Sequence, residues 1–233
     1  MTTTKESLTR GDRLNPRRTS RVYWHLSKLR QAYEAVIAAH IAGGPPAALL
    51  DYGCGNRPSQ PLFAPHCANY RGADLAGNPD ADLTLAADGS IPLADETVGI
   101  VLSSQVLEHV VSPTHYLAEA RRVLKPDGLL VLSTHGVWQF HPDPTDFWRW
   151  TSDGLRKIVD EAGFEIVDWR GVMGPPATAV QLWQDSTQHV VPQLLRPLYF
   201  VIHQAIMAAA DWICPQAARD RDACVYLLVA RKR

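Results

Sequence analysis

The sequence predicts an α/β protein built on a mostly parallel sheet with helices on both faces. Three observations carry that expectation. Short apolar runs recur at 47–52, 70–74, 99–103, 129–133, 164–169 and 225–230. Helical stretches with recognisable starts and stops separate several of them, the rhythm of a parallel sheet covered on both sides. At 233 residues, 46% hydrophobic and 20% charged, the chain has the bulk of one soluble domain around one core.

Taken in order, residues 1–19 read as a flexible basic arm, and 20–233 as a single domain. Residues 1–30 carry eight basic side chains (Lys5, Arg10, Arg13, Arg17, Arg18, Arg21, Lys28, Arg30) against Glu6 and Asp12, although the whole chain has a net charge of only -1. A solvated arm is the favoured reading of that run, and an anionic partner or membrane surface the alternative. Residues 20–42 read as a helix capped by Ser20 and stopped by Gly43-Gly44-Pro45-Pro46. A second helix is expected at 113–124, with Ser112 as cap and Pro113 in first position, and a third at 153–162, ended by Gly163.

More than fifty residues then separate Trp169 from Ala223, too many for a hairpin loop, and 171–222 reads as a helical insertion or cap. Within it, "PLYFVIHQAIMAAADWIC" (197–214) is helical and apolar, except that Arg196, His203, Gln204 and Asp211 share one sector of the wheel. It is a poor transmembrane span. Packing over the sheet or a pocket is expected, with a homodimer contact or a membrane-surface contact as alternatives. Cys54, Cys67, Cys214 and Cys224 form no CxxC pair and no zinc spacing, and the polar start shows no signal peptide. A cytoplasmic location with reduced thiols follows.

Chemistry enters at "LLDYGCGNRP" (49–58). A strand, a Gly53-x-Gly55 turn and a helix put backbone N–H groups at a strand end, where open parallel sheets bind ligands. Adding Asp74, at the end of the next strand, still leaves NAD and S-adenosylmethionine equally served, since both present a ribose diol. Asp51 separates them. It stands where a dinucleotide would place its pyrophosphate, and a carboxylate there repels that dianion but attracts an ammonium group. The third glycine of the dinucleotide fingerprint is also missing, with Pro58 in its place.

With "YRGADL", "AADGSIPLADETVGIVLSSQVLEHV" and "LAEARRVLKPDGLLVLS" following in order, the chain resembles the class I S-adenosylmethionine-dependent methyltransferases of the type 11 kind. The resemblance is dense over 47–132 and looser beyond. It implies a Rossmann-like, doubly wound, seven-stranded sheet whose last strand is antiparallel, and the cofactor S-adenosylmethionine, released as S-adenosylhomocysteine. It assigns the methionyl amine to Asp51, close backbone approach to Gly53, Cys54 and Gly55, the ribose to Asp74 with Leu75 beside it, and the adenine amino group to Asp88 and Gly89. Ser104 and Gln105 would lie beside the methionine and the methyl. Gly99 departs from the acidic residue usual before the fourth strand, away from the expected contacts. "GNRPSQPLF" and "HPDPTDFWRWTSDGL" also resemble a subgroup associated with sugar or cell-surface glycan modification.

Acceptor chemistry is expected from the loops after the fourth and fifth strands. "THGVWQFHPDPTDFWRW" offers His141 as general base, with Asp146, because histidine is neutral and basic near pH 7. Both could equally serve to hold the loop in place. Arg149, Trp148 and His109 are candidate substrate contacts, although Arg149 could pair with a structural carboxylate and the "EH" of "VLEHV" reads first as support for a helix. Tyr23, Trp24 and His25 would belong to a lid helix over the cofactor. No carboxylate cluster suggests a metal. The acceptor is expected to be a small molecule, through an O or N atom of a sugar, glycan or lipid-linked precursor; a degenerate cofactor-binding scaffold is the alternative. Nucleic acid is not expected, since "SSQV" stands in place of an "NPPY"-type motif.

Overall fold

The computed structural model describes residues 10–233. Seven strands form one sheet: β1 (Ala48–Tyr52), β2 (Asn69–Asp74), β3 (Leu83–Thr84), β4 (Val98–Ser104), β5 (Leu124–His135), β6 (Phe164–Val172) and β7 (Val225–Lys232), in the order β3-β2-β1-β4-β5-β7-β6. β1 to β5 pair parallel, and β7 runs antiparallel between β5 and β6. The expected seven-stranded, doubly wound arrangement with an antiparallel last strand is therefore present. β3 had no apolar run to announce it, because its two residues add to the sheet edge through only two register pairs.

Alternation along the central strands feeds two cores. Leu50, Val101 and Leu130 face one side, with α4 (Pro113–Val123) and α5 (Ser152–Glu161) packed on them through Leu117 and Leu155. Leu49, Ile100 and Val131 face the other, under α2 (Tyr23–His40), α6 (Pro175–Thr187) and α7 (Arg196–Trp212). The short helices α1 (Arg10–Leu14), α3 (Gln60–Phe63) and α8 (Gln216–Arg221) complete the fold. α1 lies within the stretch expected to be a loose arm; residues 1–9 of that arm fall outside the described residues.

Local signals set most helix ends. Ser112 Oγ accepts from His115 N at the start of α4, and Gly163, at φ 84°, follows α5. The start of α2 is a correction. It begins at Tyr23 after Val22, with no side-chain cap; Ser20 lies in the turn before it, where its Oγ accepts from Val22 N (3.4 Å) and its carbonyl from Tyr23 N (3.2 Å), while the carbonyl of Arg21 is taken by the side-chain amides of Gln181, Gln184 and Gln204.

α7 packs in an unexpected rotation. Its polar sector turns inward: Gln204 and Asp211 are buried, while Leu198, Ile202, Ile206 and Trp212 are exposed. Gln204 Nε2 donates to Arg21 O (3.0 Å) and to Gln184 Oε1 (3.2 Å), and its Oε1 accepts from Trp24 N at 2.7 Å. Asp211 Oδ1 accepts from Gly174 N at 2.9 Å. Rotating the helix to bury its apolar side would orphan these buried groups, at about 1–3 kcal/mol each. The buried network, not the apolar face, fixes the helix.

Candidate active site

The strand order reverses between β1 and β4, so the crevice at their carboxyl ends is the natural ligand site. β1 delivers Asp51 and the turn with Gly53, Cys54 and Gly55; β2 delivers Asp74 and Leu75; β4 delivers Ser104 and Gln105. Gly53 has φ 82°, and a Cβ there would lie 2.6 Å from Val106 Cγ1. Only glycine fits that turn without strain.

Asp74 links the two strand ends. Its Oδ2 accepts from Gly55 N (2.9 Å) and Asn78 Nδ2 (2.6 Å), and its Oδ1 from Leu75 N (2.7 Å), while the side chain stays half-buried. Asp51 is fully buried. Tyr70 Oη donates to its Oδ2, and Oδ1 has no partner. Burial pushes the Asp51 carboxyl up to about 7, against the Tyr70 bond and Arg57 and with help from the charge of Asp74. Asp88 lies exposed on the turn after β3, and the Ser90 amide (2.9 Å) holds its carboxyl below the usual range. Gly89 O accepts from Tyr52 Oη at 2.6 Å, which brings this turn to the end of β1.

Two residues with no sequence signal support the floor of the crevice. Tyr33 of α2 lies with its Oη 2.7 Å from both Ser104 Oγ and Ser133 Oγ. Ser133 Oγ also accepts from Gln105 Nε2 at 2.8 Å, which leaves Gln105 Oε1 buried and unpaired. By periodicity Tyr33 is an ordinary core position of a helix, and only the tertiary contact shows what its hydroxyl does. Of the expected lid residues, His25 is buried and stacks on Trp138 (4.7 Å between centroids), and Trp24 is pinned through its amide to Gln204.

Beyond β5 the loop returns over the end of β4 and gathers ionisable groups. The segment 107–109 is a turn, not the helix suggested by "VLEHV". Its Glu108 is fully buried because the amides of Phe147 and Trp148 both donate to its carbonyl (2.9 and 3.1 Å) and seal the loop over it. Glu108 Oε2 accepts from Thr134 Oγ1 at 2.8 Å, while Oε1 is unpaired and stands 3.7 Å from His135 Nε2. Burial pushes Glu108 up to about 7 and His135 well below the usual histidine range. His141 packs edge-on against both His135 and His109, at 4.9 Å in each case.

His141 is half-buried, with Nδ1 3.1 Å from Gln139 O and 3.3 Å from Asp146 Oδ2. The third neighbour, Arg149 Nη2 (3.3 Å), already donates to Asp146 and Gln139 O, so a proton on Nδ1 serves the two acceptors and leaves Nε2 with its lone pair. Burial lowers the pKa of the ring, which keeps it neutral at pH 7. Burial works upward on Asp146, but Arg149 (2.6 and 2.7 Å) and the His141 amide (2.8 Å) hold its carboxyl down at about 2. Asp146 is thus an ionised orienter of the imidazole. Arg149 is occupied by Asp146 and by the carbonyls of Trp138 and Gln139 (3.0 and 2.6 Å), the structural alternative of the two open to it. Trp148 is exposed, donates through Nε1 to Val110 O (2.9 Å) and stacks on Trp150; His109 Nδ1 contacts Thr145 O.

Among the described residues, two groups of side chains offer ligand atoms within 4.8 Å of one another, Glu108–His135–His141 and His109–His141–Asp146. No sequence spacing announced either, since Glu108 and His109 come from the turn after β4, His135 ends β5, and His141 and Asp146 lie on the loop after it. A cation beside His141 would have to share space with Arg149, whose Nη2 lies 3.3 Å from Nδ1. The same-sign charge opposes it.

Comparison with known proteins agrees with this geometry. Residues 50–132 match the methyltransferase domain family model. The chain is 31% identical over 183 residues to a ubiquinone biosynthesis O-methyltransferase of Dinoroseobacter shibae, covering 64% of this chain and 73% of that protein. It is 27% identical over 177 residues to a probable S-adenosylmethionine-dependent methyltransferase of Mycolicibacterium smegmatis, covering 70% and 67%. In fold it is similar to the 1,6-didemethyltoxoflavin-N1-methyltransferase of Burkholderia thailandensis, solved with its substrate and S-adenosylhomocysteine (TM-score 0.54, 17% identity, 87% of this chain and 77% of that one). The crevice at the ends of β1 and β4, with the buried Asp51 carboxylate and the tight Gly53 turn at its edge, is in keeping with these relatives. The chain belongs to the class I S-adenosylmethionine-dependent methyltransferases.

Proposed function

We propose that this methyltransferase O-methylates a small hydroxyl-bearing acceptor, with His141 as general base and Asp146 as its orienter. The observation that carries the reading is the setting of His141: its pKa is lowered by burial, and Nδ1 lies 3.1 Å from Gln139 O and 3.3 Å from Asp146 Oδ2, an arrangement that with the proton on Nδ1 leaves Nε2 as a lone-pair base. An amine nucleophile already has its lone pair, whereas a hydroxyl must lose a proton as the new bond forms. The O-methyltransferase among the similar proteins supports the same choice. Sugars, glycan intermediates and lipid-linked phenols are the acceptor classes that fit.

S-adenosylmethionine, when bound, supplies a methyl group on a sulfonium. In this reading Asp51 receives the methionyl ammonium, Gly53, Cys54 and Gly55 bring backbone close to the ligand, and Asp74 accepts from the ribose hydroxyls beside Leu75. Asp88 and Gly89 take the adenine amino group, and Ser104 and Gln105, braced by Tyr33 and Ser133, border the methionine. Residues 20–233 act as one domain, with the α6–α8 segment as a cap. His109 and Trp148 line the acceptor side. A panel of hydroxyl and amine acceptors, incubated with methyl-labelled cofactor, tests the proposal. Label appearing in base-stable ethers of hydroxyl compounds is expected; label confined to amines would overturn it.

Asp51 gives a pH-dependent expectation. Its carboxyl in the free protein is raised to about 7 by burial, so below that pH it is neutral and must lose its proton to receive a cation. Affinity for S-adenosylmethionine should therefore rise with pH, by about tenfold from pH 6 to pH 8. Titration calorimetry at both values measures it, and Asp51→Asn should flatten the dependence.

A further inference from the structure

Tyr33 and two serines form a chain of hydroxyl groups on the α2 face of the strand ends. Ser104 and Ser133 are partners in the β4–β5 register. Both lie on the side of the sheet that carries Ile100, Leu102 and Val131, and there Tyr33 comes down from α2 with its Oη 2.7 Å from each serine oxygen. Asp51 is on the same face, since β1 pairs with β4 so that Asp51 stands beside Leu102, two residues before Ser104. It is buried, and its Oδ1 has no partner.

The donors in this chain run one way. Ser133 Oγ accepts from the Gln105 backbone amide (3.1 Å) and from Gln105 Nε2 (2.8 Å), which occupies both of its lone pairs. Its own hydrogen therefore goes to Tyr33 Oη, and the Tyr33 hydrogen goes on to Ser104 Oγ. Burial, against the two serine bonds and with the charges of Asp51 and Glu108, pushes Tyr33 above the usual tyrosine range, so it stays a donor. Ser59, buried just before α3, also donates to Ser104 Oγ, at 3.3 Å. With two bonds coming in, Ser104 turns its own hydrogen out of the chain, toward the crevice that its half-buried position borders. Incoming hydrogen bonds polarise a hydroxyl and strengthen the bond it gives. Neighbouring strands thus hold an anionic acceptor, Asp51, and a hydroxyl donor, Ser104. The head of an α-amino acid presents the matching pair, an ammonium and a carboxylate on one carbon. Because its carboxylate arrives with its ammonium, the nearby Asp51, Asp74 and Glu108 meet a neutral pair rather than a bare anion.

We infer that Tyr33 is a positioning residue of the cofactor site: through Ser104 it aims a hydroxyl donor at the methionyl carboxylate of S-adenosylmethionine. The inference rests on the placement of the methionyl ammonium at Asp51, and it names the side chains that hold the opposite charge of the same group.

Titration calorimetry with two ligands tests this, at pH 8 so that Asp51, which titrates at about 7, is ionised. One ligand is S-adenosylhomocysteine; the other is its decarboxylated analogue, which keeps the ammonium and lacks only the carboxylate. Tyr33→Phe should raise Kd for S-adenosylhomocysteine about fivefold to tenfold and change that of the analogue by less than about twofold. Ser104→Ala should raise Kd roughly tenfold or more with the same selectivity, and it carries the comparison if Tyr33→Phe fails to fold by circular dichroism. Ser104→Thr keeps the hydroxyl and should retain most of the affinity. Equal weakening of both ligands by Tyr33→Phe, or of neither, would overturn the proposal, because Tyr33 would then serve only the packing of α2. Asp51→Asn keeps the two readings apart. It should weaken both ligands alike, since both carry the ammonium. That result beside an unselective Tyr33→Phe would remove the role of Tyr33 and leave the Asp51 placement standing. Unchanged affinity of Asp51→Asn for both ligands would remove the placement, and this proposal with it. No acceptor takes part in these titrations, so the O-methylation reading is not affected by either result.

Discussion

Asp74→Ala is expected to weaken S-adenosylmethionine binding by roughly a hundredfold or more. On the proposed assignment the carboxylate accepts from two ribose hydroxyls, and hydrogen bonds to a charged group contribute about 1.5–3 kcal/mol each. Losing about 3 kcal/mol raises Kd by more than a factor of a hundred. The substitution also frees Gly55 N and Asn78 Nδ2, the two groups by which Asp74 holds the glycine turn to β2. Asn78→Ala separates the two effects, since it loosens the turn but keeps the carboxylate; a loss of only a few-fold is expected. Calorimetric titration of both variants, with circular dichroism to confirm folding, makes the measurement. Affinity of Asp74→Ala within threefold of wild type would remove Asp74 from the cofactor site.

His141→Ala should lower kcat by about 10²–10³, the usual contribution of a positioned general base, with cofactor affinity unchanged. The pH profile distinguishes this from a packing defect. In the wild type the base is active when neutral, so kcat/KM for the acceptor, measured at saturating cofactor so that Asp51 does not contribute, should climb with pH through the depressed pKa of His141 and level off above it. The variant should lose that limb and keep only a shallow dependence on hydroxide. Asp146→Asn should show a smaller deficit, because the ring loses the partner that fixes its tautomer while Gln139 O remains. Wild-type turnover by His141→Ala between pH 6 and 9 would exclude it as the base.

The positions to which the sequence assigns the cofactor were legible before any coordinates. Asp51, the two glycines, Asp74 and the Asp88–Gly89 turn sit at strand ends, and strand ends are set by short-range apolar pattern and turn chemistry, both written locally. The cluster around His141 was legible only in part. His141 and Asp146 are five residues apart and could be read together. Glu108, His135 and His25 come from three distant segments, so their proximity depends on how the loop after β5 folds back, and no local pattern encodes that. The helix expected around "VLEHV" failed for the same reason, since the Glu108 carbonyl serves Phe147 and Trp148 instead of a continuing helical turn.

α7 divides the two sources of information most clearly. By itself the sequence determined that 197–214 would be helical and two-faced, with Gln204 and Asp211 on one side and a band of large apolar residues on the other. An isolated amphipathic helix would be expected to bury the apolar band, and only the tertiary structure decided otherwise. Arg21 O, Gly174 N and the amides of Gln184 and Trp24 stand where α7 lands, and they require polar partners there. Leaving those groups unpaired in a dry interior costs more than leaving leucines and isoleucines at the surface.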